Sequence, residues 1–186
     1  MLKPDSWIKQ KALDERMIEP FEERLVRDGC ISYGLSSYGY DLRLADEFYT
    51  RQESSESGGL VVSDPKTLVL ADFIRYRGES FLVPAGSYIL ARSLEFFRIP
   101  RNVLAIVQGK STYARSGLLV NVTPLEAGWE GHITIALGNL SVVPIKIYAG
   151  EGIAQALFFE CDPCSISYAD RGGKYQGQQG VTPPKV

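Results

Sequence analysis

From residue 80 onward the chain is interrupted every few residues by glycine, proline or asparagine, and the stretches between are short and apolar. FLVPAGSYILARSLEFFRIP reads as a strand, a Pro-Ala-Gly turn and a second strand stopped at Pro100. NVLAIVQ, LLVNVTP, HITIALGN, PIKIYA and GIAQALFFE follow as further strands, each bounded by turn residues. Upstream, SYGYDLRL alternates apolar and polar residues, which suits a half-buried strand. Many short strands with regular punctuation predict a mainly β chain, closed into a distorted barrel or jelly roll with a few short helices. The clearest helix is expected over residues 5–17, capped by Asp5 or Ser6, with Trp7, Ile8, Ala12, Leu13 and Met17 at helical spacing.

Length and charge narrow the field. A chain of 186 residues that is 45% hydrophobic is expected to form one domain with its own core, and no linker divides it. A net charge of −2 excludes a generic nucleic-acid footprint but allows a small anion held by a local cationic cluster. The first residues are charged and lack the apolar core of a signal peptide, and no apolar run reaches membrane-spanning length, so a cytoplasmic protein is expected. Cys30, Cys161 and Cys164 make an odd count, read as free thiols in a reducing compartment.

One segment has the composition of an anion cradle. GKSTYARSG (109–117) places Lys110, Arg115, Ser111 and Thr112 between two glycines in a turn-like segment; if Ser111 opens a short helix, its first backbone N–H groups are also free to meet a phosphate. Arginine binds oxyanions bidentately and lysine as a point charge. A Walker A loop would need a glycine at position 104, which is Leu. The alternative is a solvated turn between strands. Elsewhere, Asp41 and Arg43 share one strand face and read as a surface or interface pair. RQESSESGG (51–59) has loop composition, and the Arg75–Ser80 stretch is polar and basic. The tail, residues 165–186, is rich in Gly and Gln; its composition favours a disordered end, with a lid over a ligand as the alternative. Cys161 and Cys164 form a lone C-x-x-C whose remaining candidate zinc ligands, Cys30 and His132, are distant in sequence. The zinc nucleobase deaminases need H-x-E and P-C-x-x-C, whereas this chain has His132-Ile-Thr134 and Glu160 before Cys161.

Six blocks then match one family in order. They are SYGLSSYGYD (32–41), GKSTYAR (109–115), VNVTP (120–124), WEG (129–131), GEGIAQ (150–155) and SYADRGGKYQGQ (167–178). Over nearly its full length the chain resembles the dCTP deaminases of the dUTPase-like superfamily. The resemblance implies a distorted β-barrel assembled as a homotrimer, with active sites between subunits. It implies zinc-free hydrolysis of the cytosine 4-amino group of dCTP, carried with Mg²⁺, to dUTP and ammonia, feeding dUMP and dTTP biosynthesis. dTTP is expected as an inhibitor at the same site. By carry-over, Lys110, Ser111, Thr112, Tyr113, Ala114 and Arg115 hold the triphosphate, with Ser111 and Arg115 in the catalytic shell. Glu126 contacts the sugar or activates water. Thr134, Ile135 and Ala136 line the base and sugar, and Gln155, Tyr168, Lys174 and Gln178 close on the nucleotide, which makes the tail a lid.

One position departs from the pattern. The family's general base is a glutamate in the strand after WEG, three residues before an asparagine; here that residue is Ala136, ahead of Asn139. Loss of a general acid–base group costs roughly 10²–10⁴ in rate. Three explanations follow: a deliberate glutamate-to-alanine replacement, a natural homologue that binds dCTP or dTTP without turnover, or a base supplied by Glu126, which keeps a dUTPase-like triphosphate hydrolase in view. The run after Ala136, LGNLSVVP, also drifts from the family pattern.

Overall fold

The computed structural model describes residues 1–51 and 62–185. In chain order its elements are α1 (Asp5–Glu15), β1 (Ile18–Glu19), β2 (Gly34–Ser36), β3 (Gly39–Arg51), β4 (Phe73–Arg77), β5 (Ser80–Val83), β6 (Tyr88–Arg98), β7 (Val103–Gly109), α2 (Ser111–Arg115), β8 (Leu118–Asn121), β9 (Glu130–Asn139), β10 (Ile145–Tyr148) and β11 (Gly152–Glu160). All but the first residue of the loop-like 51–59 run lie outside the described residues; Arg51 ends β3. The basic stretch from Arg75 belongs to β4, an edge strand on β3 whose side chains beyond Phe73 are exposed. Charge on an exposed edge discourages pairing with another chain.

A nine-stranded antiparallel sheet runs β7-β11-β3-β6-β9-β8, with β1 on β6 and β2 and β4 on β3. β5 and β10 form a separate two-stranded ribbon. The large sheet nearly closes. Gly109 at the end of β7 lies so near β8 that an added Cβ would sit 3.0 Å from the Val120 Cβ, and Ala105 bridges to Leu125.

Alternation along the central strands decides which residues the barrel swallows. On β9, Ile133, Ile135 and Leu137 are buried, while His132, Thr134, Ala136 and Gly138 face the other way. On β6, Ile89, Ala91 and Phe97 point inward, and Leu90, Arg92, Leu94 and Phe96 outward. Tyr40, Phe48, Phe97 and Phe158 are the largest fully buried side chains. Helix α1 adds Ile8 and Ala12 to this core.

Two sequence expectations are corrected here. Helix α1 takes Pro4, not Asp5 or Ser6, as its N-cap, and it stops at Arg16, which adopts the left-handed conformation (φ 53°). Proline is tolerated there because the helix uses the carbonyl of this residue, which accepts from the Ile8 N–H at 3.1 Å, and not its missing N–H. Met17 is fully buried but lies beyond the helix. Asp41 and Arg43 are not a pair: Asp41 takes Lys110, and Arg43 takes Glu95. Glu95 is fully buried and accepts from the Arg43 Nε at 2.7 Å and its backbone N–H at 2.9 Å. Burial pushes the Glu95 carboxyl above the ordinary carboxylate range, and Arg43 opposes the rise. Among the described residues no helix is long and apolar enough to cross a membrane.

Phe158, fully buried near the end of β11, pairs with Ala105 on β7. Phe158→Ala is expected to lower unfolding free energy by about 3–5 kcal/mol through lost burial and the cavity left behind, read by urea denaturation.

Candidate active site

A cavity of about 490 Å³ opens on the outward face of β9. Its size suits a small organic ligand. Ala136 and Thr134 form part of its wall, flanked across the strands by Leu90 on β6 and Asn121 on β8. Trp129, Leu125 and Ile133 make the wall largely apolar, and Glu126 is the one carboxylate among its described lining residues. Ile135 does not reach this space. It pairs across with Ala91, and both are fully buried in the barrel core.

The tail closes one side of the cavity and is ordered on the barrel, which corrects the compositional reading of a disordered end. Trp129 donates its indole N–H to the Tyr175 carbonyl at 2.9 Å. The Gln178 carbonyl accepts from the His132 backbone N–H at 2.9 Å. The Gln178 Nε2 donates to the His132 carbonyl and to the Thr134 Oγ1, the latter at 3.3 Å. Thr182 adds a backbone N–H to that same hydroxyl at 3.2 Å. Beyond this point Val181 is buried against Tyr49 and Phe73. Gly173 is forced by close approach: a Cβ there would fall 2.1 Å from the Tyr168 ring. Since Nε2 is spoken for by two acceptors, Oε1 of Gln178 faces away; it is buried and has no partner among the described residues. Tyr168 lines the cavity and accepts from the Tyr175 N–H at 3.0 Å. Lys174 is exposed, and its ammonium donates to the Lys185 carbonyl at 3.1 Å. Glu126 is ion-paired with Arg171 at the rim.

The cationic segment is placed elsewhere. None of residues 110–115 lines the cavity. Ser111, Thr112, Ala114 and Arg115 are exposed on α2, and the Arg115 guanidinium donates to the Ser111 carbonyl at 3.4 Å. Tyr113 is buried instead; its hydroxyl accepts from the Tyr148 N–H at 3.3 Å, and burial pushes its pKa up to about 12. Lys110 turns inward to Asp41, which also accepts from the Gln155 Nε2 at 2.9 Å. The expected residues therefore fall into two groups within one chain: Glu126, Thr134, Ala136, Tyr168 and Gln178 at the cavity, and Lys110 with Gln155 near α2. Sequence reasoning missed Asp41 as the lysine's partner, and Leu90, Asn121 and Thr182 at the cavity; alternation marks Leu90 as outward but does not say what it faces.

Next to the cavity, His132 is held by backbone. Its Nδ1 lies 3.1 Å from the Glu95 carbonyl. The Arg92 guanidinium sits 3.3 Å from the same nitrogen. Among the described residues no group of three or more His, Cys, Asp and Glu is gathered to hold a metal, and Cys30, Cys161 and Cys164 are free thiols.

Residues 2–161 match the family model described as dCTP deaminase-like. A protein of Novosphingobium aromaticivorans named dCTP deaminase is 54% identical, covering 98% of this chain and 97% of its own length. Another of that name from Azotobacter vinelandii is 54% identical over 100% of this chain and 99% of its own. Among solved structures, a 2'-deoxycytidine 5'-triphosphate deaminase from Agrobacterium tumefaciens superposes with a TM-score of 0.63 at 17% identity. That match covers 84% of this chain but 46% of the other, and it shows the fold alone.

Two outcomes are expected. Gln178→Ala removes the amide that ties the tail to β9, so proteolysis in the tail should quicken by about fivefold, the scale of one lost hydrogen bond, while the barrel stays intact. For His132, burial first and Arg92 second hold the imidazole below its ordinary value of 6.5. The unfolded chain then takes the proton first on acidification. The stability this group contributes is full above pH 6.5 and is lost as pH falls toward the folded-state value. His132→Asn should flatten the part of that loss due to His132, read as Tm against pH.

Proposed function

The chain belongs to the dCTP deaminase-like family, and on that premise we propose that it binds dCTP and has the frame for its hydrolytic deamination to dUTP and ammonia, with turnover held down by Ala136. The observation that carries this reading is the cavity walled by Thr134, Ala136 and Gln178, in a chain that is similar along its whole length to proteins named dCTP deaminase.

The cavity's flat, apolar wall with a few polar groups suits a pyrimidine ring. The buried Gln178 Oε1, an acceptor without a partner among the described residues, would take an N–H from the ligand. Deamination needs water to add at C4 while a base removes its proton, and the leaving amine needs that proton to depart as ammonia. A methyl group at position 136 does neither. The triphosphate, with its Mg²⁺ as part of the substrate, would be met by Lys110, Ser111, Thr112 and Arg115. Since these do not line the cavity of their own chain, a neighbouring copy would supply them, as in a homotrimer with sites between subunits. No zinc takes part in this scheme. Lys174 would turn from the Lys185 carbonyl to the nucleotide when it binds, and dTTP would compete for the same cavity.

A specific observation favours a second reading: Glu126 lines the same cavity as Ala136. There it could activate water for attack on a phosphate, as in a dUTPase-like hydrolase, once freed from Arg171. A homologue that binds dCTP or dTTP without turnover is the third outcome.

The test follows Mg²⁺-dCTP by chromatography with this chain and with Ala136→Glu. The substitution is expected to raise dUTP formation by roughly 10²–10⁴. Equal, substantial turnover by both would move the base to Glu126. Binding without turnover by either would favour the sensor, and no binding by either would remove the reading.

A further inference from the structure

The Lys110 side chain is almost shut away from water, at 11% exposed, and so is its partner Asp41, at 6%. An ammonium taken out of water needs a counter-charge and hydrogen-bond acceptors. Asp41 is its one carboxylate partner among the described residues, and it uses one of three ammonium donors. The pair is itself framed. Gln155 on β11 sits opposite Asp41 on β3, and its Nε2 gives one hydrogen to the Asp41 Oδ1 at 2.9 Å and the other to the Ser36 Oγ at 3.0 Å. Ser36 in turn donates to the Gly39 carbonyl at 3.1 Å. The Lys110 stem crosses Gly152, where a Cβ would lie 3.1 Å from the Lys110 Cδ and 1.9 Å from the Ser32 carbonyl oxygen, so a larger residue would push the lysine out of place. The Lys110 backbone N–H is tied to the Ile153 carbonyl at 3.2 Å. Lys110 is also the residue that caps α2, directly before the exposed Ser111, Thr112 and Arg115.

We propose that Asp41 is a positioning residue for the triphosphate: held by Gln155, whose amide Ser36 also binds, it anchors the Lys110 ammonium at the head of α2 so that its remaining donors meet a polyphosphate beside Arg115. This rests on the nucleotide-binding reading above and deepens it. It also changes the part played by Gln155. Both of its amide hydrogens are committed to Ser36 and Asp41, so Gln155 acts on the nucleotide through Lys110 rather than by donating to it.

Calorimetry with Mg²⁺-dCTP, and NMR titration with deoxycytidine, which has no phosphate, would be run on the full chain, Asp41→Asn, Lys110→Met and the double variant. Asp41→Asn is expected to weaken dCTP binding by about tenfold or more, as loss of one member of a buried ion pair does, and to leave deoxycytidine within about twofold. In the Lys110→Met background it should cost nothing further, since the two act as one unit. Tighter or unchanged dCTP binding by Asp41→Asn overturns the proposal, as does equal weakening of dCTP and deoxycytidine, or a further loss in the double variant. An unsubstituted chain that binds no nucleotide sinks the functional reading itself, which separates the two failures. Should Asp41→Asn not fold, the unsubstituted protein decides: the Lys110 ammonium should give a slowly exchanging ¹H–¹⁵N signal that shifts with dCTP, and a signal averaged with solvent or unmoved by dCTP overturns the assignment.

Discussion

Side-chain parity along β9 is the constraint on which the rest of this molecule depends. The strand is hydrogen-bonded on both sides, to β6 and to β8, so its register cannot slip without turning every inward residue outward. Ile135 and Leu137 therefore belong to the core, Thr134 and Ala136 to the cavity, and Ile133, though buried, also reaches the cavity wall. This explains how alanine at position 136 is compatible with the barrel. The residue sits on the face that the core does not use, and its cross-strand neighbours Leu90 and Asn121 also line the cavity.

The charged groups follow a different logic. Two ion pairs, Lys110 with Asp41 and Arg43 with Glu95, are largely withdrawn from water. Breaking such a pair by removing one partner leaves an uncompensated buried charge, which is costly. Each pair also joins strands that are distant in sequence: β3 to the turn after β7, and β3 to β6. Position 41 and position 43 lie on the same strand yet serve different partners. The Arg43 guanidinium carbon also lies over the Tyr33 ring, 4.8 Å from its centroid, in a cation–π contact.

The tail shows how a polar, glycine-rich segment becomes ordered without a large apolar face. Its attachment is made of backbone and amide hydrogen bonds to β9 and Trp129, with Val181 as a small apolar anchor. Attachment of that kind is individually weak and reversible.

The repeated short apolar runs and their turn residues determined a mainly β barrel, and the strands from residue 80 to 160 fall where the punctuation placed them. The six sequence blocks determined the family. Only the tertiary structure decided that Ile135 and Tyr113 are core residues, that Asp41 and Arg43 part company, that the tail packs on β9, and that the cationic turn lies outside the cavity formed by its own chain. The physical reason is the range of the forces involved. Alternation, turn chemistry and helix spacing act over a few residues and are visible in the string. Ion pairs, cavity walls and tail contacts join residues tens to more than a hundred positions apart, such as Gln155 with Asp41, and come into being only when the sheet closes.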